Sequence, residues 1–220
     1  MISTIFVPRG AEADAVRRAA ARARSNVRVV ETGIGPIAAG QAADDAIAAA
    51  PIGTALVTGL CGLLSPSFSV GDALVYGEIA RGGDGVALAL ARDLGGALAT
   101  KIPHAQTGIR ALASDRIVTS AREKTELGER NHADAVDMES LAIVERLQRR
   151  NVPVAVVRVA SDGSNDSLPE LDRALDGAGG MDGLALALAM LRHPTLGFRL
   201  AVNGTRALRA LRDCVEALLR

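Results

Sequence analysis

The chain has 220 residues, of which 49% are hydrophobic, and its 25 basic side chains equal its 25 acidic ones. This composition is typical of a soluble globular protein, and the balanced charge provides no general attraction to nucleic acid. The two cysteines are too few for a disulfide framework or a cysteine metal cluster, no apolar run approaches the ~20 residues of a membrane span, and the N-terminus lacks a basic leader, so we expect a cytoplasmic protein.

Strands and helices are predicted to alternate along the first half of the chain. Buried strands are predicted over residues 2–7, 27–31 and 55–58, with helices over residues 11–24 and 37–50. The glycines from Gly59 to Gly62 predict a turn that approaches a ligand closely. Further along, we predict strands at 73–79 and 107–113, an apolar helix at 86–100 and an exposed helix at 120–131.

The stretch from Ala135 to Asp166 contains two acidic positions separated by a helix and a strand. Apolar residues at helical spacing predict a helix from Asp137 to about Arg149, and the apolar run from Val154 to Ala160 predicts a strand covered on both faces. Asp162 follows that strand, where open α/β sheets place their ligand crevices.

These two carboxylates suggest acid and base chemistry. Burial raises the pKa of a carboxyl group, so Asp162 could donate or share a proton near neutrality. Glu139, predicted just inside the helix start, could hold a ligand through its oxygens. The alternatives are that Asp162 caps the next helix or pairs with Arg158, and that Glu139 is an ordinary acid of a first helical turn.

Three segments, in order, resemble the nucleoside phosphorylase family, particularly its 5'-methylthioadenosine/S-adenosylhomocysteine nucleosidases. They read ETGIGPIAA from Glu31, VTGLCGLLSPSFSVGDALV from Val57, and VDMES with the later VPVAVVRVASD from Val136. The resemblance implies a three-layer α/β/α sandwich with a twisted, mostly parallel central sheet over residues 1–191. It also implies cleavage of the N-glycosidic bond of a purine nucleoside, with a 5'-modified adenosine as the expected substrate.

Carried onto matching positions, the resemblance implies a role for each site residue. Asp162, aided by Ser161, would protonate the purine, while Glu139, with Met138 beneath the sugar, would hold the ribose hydroxyls. The base and nucleophile pockets would be lined by Ile117, Val118, Leu60, Cys61 and Gly62. Ile117 stands where the family has a stacking phenylalanine, so this chain keeps an apolar wall without a ring.

A glutamate in the first turn after the first strand activates the attacking water in the resembling nucleosidases. Superposing the glycine-alanine pairs puts Ala15 at that position, so Glu12 or Asp14 would have to substitute. We expect Glu12, the alternative being a solvated carboxylate at a helix start.

Phosphate could replace water as the nucleophile and would then be a co-substrate. The arginine and serine that phosphorylases of the hexameric type use are replaced here by Val57 and Leu60. Arg9, Arg17 or Arg158 would then have to supply the cation, and the helix start at Gly35 could hold the anion. No metal or redox cofactor is expected.

The C-terminal part departs from the nucleosidases. A loop or lid is predicted at 168–183 and a helix at 184–192, followed by a basic amphipathic extension over residues 192–220. That extension could lie on an anionic membrane, or it could pack on its own domain or on a partner. Its LRHP turn and basic helix weakly resemble hopanoid-associated family members, which act on a lipid-linked adenosyl substrate.

The family resemblance also implies a homo-oligomer. The main alternative to an enzyme is a nucleoside-binding or membrane-associated module of the same fold that has lost turnover.

Overall fold

The computed structural model describes residues 1–83, 86–169 and 194–220. The eight strands of this part are β1 (Thr4–Pro8), β2 (Arg28–Thr32), β3 (Ala55–Leu63), β4 (Ala73–Arg81), β5 (Ala87–Ala89), β6 (Gln106–Ala113), β7 (Ala135–Asp137) and β8 (Val154–Asp162). Its helices are α1 (Ala11–Arg22), α2 (Pro36–Ala49), α3 (Arg92–Ala99), α4 (Ala121–Asn131), α5 (Ser140–Gln148) and α6 (Pro194–Leu219). The predicted loop at 168–183 and helix at 184–192 lie almost wholly outside the described residues.

All eight strands join one mixed sheet. Strands β2, β1, β3 and β8 lie side by side and are parallel. The far edge of β8 pairs antiparallel with β4, while β3 pairs antiparallel with β7, and β7, β6 and β4 continue in parallel. Strands β3, β8, β4, β6 and β7 therefore form a closed ring.

The α/β class is confirmed, but the sheet differs from the twisted, mostly parallel layer expected of a three-layer sandwich. It closes on itself because the long strand β8 has a partner on both edges and the carboxyl end of β3 continues past β8 to reach β7. Helices cover both faces of the sheet. One core contains α2 and α5, and the other contains α1, α3 and α6.

Three predicted element boundaries are wrong. The Gly59–Gly62 segment lies inside β3, because β8 pairs with β3 as far as Gly62 and β7 pairs with it from Gly62 onwards. The predicted helix at 86–100 begins with the short strand β5, which pairs with β4. Helix α5 begins at Ser140, because Asp137 belongs to β7 and its Oδ1 accepts a hydrogen bond from the Ser140 N–H.

The C-terminal helix α6 is an integral part of the domain core. Leu211 and Val215 are fully buried and pack with Val16 of α1 and Val157 of β8. The apolar face of this helix therefore packs on its own domain, which is one of the two arrangements expected from sequence. In the described part of the chain, no helix combines the length and apolarity needed to cross a membrane.

We predict that Leu211→Ala lowers the free energy of unfolding by about 2–5 kcal/mol, because it leaves a cavity between α6, α1 and the sheet. Urea denaturation measures this change. Val202→Ala is the matched control, since Val202 lies on the same helix with 51% of its surface exposed, and we expect a change below about 0.5 kcal/mol. Similar effects for both variants would mean that α6 does not pack on the sheet in solution.

Candidate active site

A cavity of about 250 Å³ opens where β1, β3 and β8 end. Its volume is near the lower end of the range of ligand pockets, which begins at roughly 300 Å³. The residues that line it are Pro8, Glu12, Ile34, Leu60, Cys61, Gly62, Arg116, Ile117, Val118, Val136, Asp137, Met138, Glu139, Ser161, Asp162, Leu168, Leu200 and Gly204.

The cavity brings together most of the residues that the sequence selected. The three predicted catalytic carboxylates, Glu12, Glu139 and Asp162, all lie in its wall. So do all the predicted substrate-binding residues, namely Met138, Glu139, Ser161, Ile117, Val118, Leu60, Cys61 and Gly62.

Asp162 is 6% exposed and lies at the end of β8 beside Gly62 of β3. Its Oδ1 is 2.6 Å from Ser161 Oγ, which is also 3.1 Å from the Cys61 carbonyl oxygen. Its Oδ2 accepts a hydrogen bond from Lys124 Nζ. Asp162 thus pairs with a lysine of α4, whereas the sequence suggested Arg158 or a helix cap as its alternative partner.

Glu139 also lines the cavity and stands immediately before the first residue of α5. Its Oε1 accepts the Gly35 N–H at 2.9 Å, and its Oε2 accepts Arg158 Nη2 at 3.2 Å. Burial raises the pKa of the Glu139 carboxyl, although the neighbouring Arg158 opposes this shift. Since Glu139 holds Gly35 N–H, that amide is already occupied by a carboxylate.

Arg158 is fully buried beneath the cavity and binds the surrounding elements together. Its guanidinium donates to Ser140 Oγ at 3.1 Å, to the Leu60 carbonyl at 3.3 Å and to Glu139, and it lies 3.6 Å from Asp137 Oδ1. Burial alone would lower the pKa of Arg158, but the carboxylates of Asp137 and Glu139 outweigh it, so this pKa is raised and the side chain remains a cation.

Glu12 extends from the first turn of α1 towards β3. Its Oε2 accepts the Leu60 N–H at 2.7 Å. Burial raises the pKa of Glu12 to about 7; Arg158 opposes this shift, while Glu139 and Asp137 add to it. A carboxyl group that titrates near neutrality suits a general base. Asp14, the alternative to Glu12, is exposed and pairs with Arg17 on the outer face of α1.

Gly59 allows Glu12 and Arg158 to approach the same point of β3. A Cβ atom at this position would lie 2.5 Å from Glu12 Oε2 and 2.7 Å from Arg158 Nη1, and the φ of Gly59 is 136°. Both the space and the backbone conformation therefore require glycine.

The Cys61 side chain is buried and belongs to the core that contains α2 and α5. Burial raises the pKa of its thiol, and the nearby Asp137 adds to this effect. Because the thiolate is the reactive form, the raised pKa opposes a nucleophilic role for Cys61.

Arg9 and Arg17, two of the residues suggested for phosphate binding, lie away from this arrangement, whereas Gly35 and Arg158 lie within it and are both bonded to Glu139. Arg17 forms ion pairs with Glu31 and Asp14, and Arg9 is exposed outside the cavity wall. Among the described residues that line the cavity, Arg116 is the one arginine, and it is paired with Glu123.

Sequence reasoning missed four contributors to the site. Lys124 was placed on an exposed helix, although its spacing of three residues from Leu127 puts both on one helical face. Asp137 was read only as part of a helix start, whereas it caps α5 and faces Arg158. Leu200 and Gly204 of α6 complete the cavity wall, and their distance along the chain left no local signal.

Comparison with known proteins gives both a family and a fold. Residues 7–192 match the family model of the phosphorylase superfamily, whereas a search of curated proteins gives no match.

Several solved structures share the fold over nearly their whole length. The 5'-methylthioadenosine/S-adenosyl homocysteine nucleosidase of Helicobacter pylori is 16% identical, with a TM-score of 0.72 over 98% of this chain and 96% of that chain. The futalosine hydrolase of the same organism is 14% identical, with a TM-score of 0.72 over 98% of this chain and 95% of that chain. The S. pneumoniae nucleosidase, solved with a transition-state inhibitor, is 15% identical, with a TM-score of 0.70 over 98% and 97%.

At these identities the solved structures demonstrate a shared fold, while the family match covers most of the sequence. The match confirms the resemblance carried by the three sequence segments, and the chain belongs to the phosphorylase superfamily.

Proposed function

We propose that this protein cleaves the N-glycosidic bond of a purine nucleoside, with water as the nucleophile and a 5'-modified adenosine as substrate. One observation carries the proposal: Asp162, Ser161, Glu139 and Glu12 all line the same cavity. The family match and the nucleosidases and hydrolase that share the fold support it.

The reaction requires both a proton donor and negatively charged groups. Breaking a ribosyl C–N bond builds positive charge on the sugar and negative charge on the base, so an acid is needed at the base and carboxylates near the sugar. Asp162 would donate a proton to a purine nitrogen. Glu139 would accept hydrogen bonds from the ribose hydroxyls while its charge favours the cationic sugar, with Met138 against the ring.

Glu12 would take a proton from the attacking water. Its carboxylate is fixed by the Leu60 N–H, and its pKa of about 7 leaves a large fraction ionised at neutral pH. The apolar side chains of Ile117 and Val118 would cover the base.

Phosphorolysis is the second candidate, because the family takes its name from phosphorylases. The positions of Arg9 and Arg17 favour water, since both lie outside the described cavity wall. A nucleoside-binding module without turnover, a membrane contact, an oligomer and a lipid-linked substrate stay predictions from sequence.

We expect adenine release from 5'-methylthioadenosine or S-adenosylhomocysteine without phosphate, with free sugar as the second product. Chromatography of both products, with and without phosphate, measures this. Release only with phosphate, giving a sugar 1-phosphate, would establish the phosphorylase instead. Tight binding without release from these substrates and adenosine would point to a binding module.

We predict that Asp162→Asn lowers kcat by about 10²–10⁴-fold, because the amide keeps the shape of the side chain but cannot donate an acidic proton to the base. Steady-state kinetics of adenine release measures the loss. Asp45→Asn is the control, since Asp45 is exposed on α2 and pairs with Gln41 away from the cavity. Near-normal turnover in Asp162→Asn would remove it as the acid.

We predict that the acidic limb of the kcat/KM profile, along which the rate rises with pH, has its midpoint at about pH 7, because Glu12 acts as a base only when ionised and its pKa is about 7. Glu12→Gln should lose about 10²–10⁴-fold in rate and also lose this dependence. Asp14→Asn, changed on the outer face of the same helix, should retain both. A wild-type rate that stays flat from pH 5.5 to 8 would contradict the role of Glu12.

The raised pKa of Glu12 also predicts how the stability of the protein depends on pH. Since folding raises the pKa of Glu12, the folded state favours the protonated form, and this contribution is lost as the pH rises through about 7. The Tm of Glu12→Gln should therefore exceed that of the wild type by more at pH 8 than at pH 6. An equal difference at both pH values would show that burial does not disfavour the Glu12 carboxylate.

A further inference from the structure

Lys124 is a fully buried charged residue on α4, a helix whose other residues are all exposed or partly exposed. Burying an ammonium group is costly unless every one of its hydrogens is bound and its charge is paired. A lysine in this position therefore needs an explanation beyond packing.

Its hydrogen bonds account for all three ammonium hydrogens. Nζ donates to Asp162 Oδ2, to the Gly163 carbonyl at 3.0 Å and to the Asp166 carbonyl at 2.9 Å. The charge is directed at Asp162, because the other two acceptors are neutral peptide groups.

The loop after β8 is held by further contacts that do not involve Lys124. The Leu168 N–H donates to the Thr119 carbonyl at 2.8 Å, and the Gly163 N–H donates to Asp166 Oδ2 at 2.9 Å. Arg199 of α6 also pairs with Asp166 Oδ1 at 2.9 Å. Because these contacts already attach the loop to the segment before α4 and to α6, fixing the loop alone does not require a buried cation.

We propose that Lys124 is the positioning residue of Asp162: its ammonium fixes Oδ2 and stabilises the carboxylate that remains once Asp162 has given its proton to the departing base. The proposal deepens the proposed function and rests on it for the identity of the proton acceptor. The proton leaves Oδ1 for a base nitrogen, and the negative charge left on Asp162 is paired with Lys124.

Ser161 can serve both protonation states of Asp162. The Cys61 carbonyl can only accept, so Ser161 Oγ can donate its single hydrogen there while its lone pair accepts from a protonated Oδ1. After the proton has left, the same hydrogen can turn to the carboxylate. Lys124 remains on Oδ2 in both states, so the carboxyl group keeps its orientation.

The other ionisable groups near Asp162 cannot replace this cation. On β3, burial raises the pKa of the Cys61 thiol, which keeps that side chain uncharged. Asp137 of β7 is a carboxylate that faces Arg158, and Asp166 in the loop is paired with Arg199 of α6. Arg116 in the cavity wall is paired with Glu123. In the described structure, Lys124 is the cation in contact with Asp162.

A double-mutant cycle tests whether Lys124 acts through Asp162. Lys124→Met removes the charge and retains a similar apolar stem, and we expect kcat to fall by about 10–100-fold with KM changed less than about threefold. In the Asp162→Asn background the same change should cost less than about threefold, because the carboxylate that Lys124 supports is already gone. Equal losses in both backgrounds would overturn the proposal.

Lys101→Met provides the matched control. Lys101 is the other lysine of the chain; its Nζ donates to the Leu218 carbonyl at 3.3 Å, and neither residue lines the cavity. This variant should keep both kcat and its pH profile.

A second measurement does not depend on turnover. The ¹³C carboxyl signal of Asp162, assigned by its loss in Asp162→Asn, should have a different chemical shift in Lys124→Met than in the wild type, because the carboxyl group has lost the cation bonded to Oδ2. An unchanged chemical shift would overturn the proposal. If Lys124→Met does not fold, Lys124→Gln removes the charge while keeping a polar donor, and both measurements apply to it.

The two proposals can fail separately. A wild type that releases no base from any nucleoside would overturn the proposed function, while the carboxyl signal of Asp162 would still decide whether Lys124 acts on that side chain. If the wild type is active but the losses caused by Lys124→Met and Asp162→Asn are additive, only the proposed role of Lys124 is overturned.

Discussion

The ion cluster around Arg158 is the interaction on which the rest of the site depends. A single buried guanidinium contacts Glu139 and Ser140 at the start of α5, the backbone of β3, and Asp137 of β7. Removing one partner of a buried ion pair typically lowers the free energy of unfolding by about 3–5 kcal/mol, because a buried charge is left without an opposite charge. The same contacts join the strands that close the sheet, so the architecture and the chemistry share one set of residues.

The charges in this cluster are unequal, and that inequality gives Glu12 its properties. One cation faces the carboxylates of Asp137, Glu139 and Glu12, so the buried negative charges are only partly balanced. As a result, the pKa of Glu12 lies near neutrality, whereas Glu139 accepts hydrogen bonds directly from Arg158 and from the Gly35 N–H. Two acids of the same type thereby acquire different properties from their surroundings.

Local sequence patterns predicted the elements that are stabilised locally. The β8 strand and its terminal Asp162 could be recognised from an apolar run and the residue that follows it, whereas Glu12 was expected only from the family resemblance. The closed sheet could not be predicted in this way, because the pairing of β8 with β4 joins segments about 80 residues apart. The partner of Asp162 was missed for a similar reason, since Lys124 has the composition of an exposed helix and is buried only by tertiary contacts.

Helix α6 belongs both to the core and, through Leu200 and Gly204, to the wall of the cavity. It follows every strand of the sheet in chain order. During translation, a ribosome must therefore synthesise all eight strands before this wall can be added. The complete cavity wall therefore forms only when α6 docks against α1.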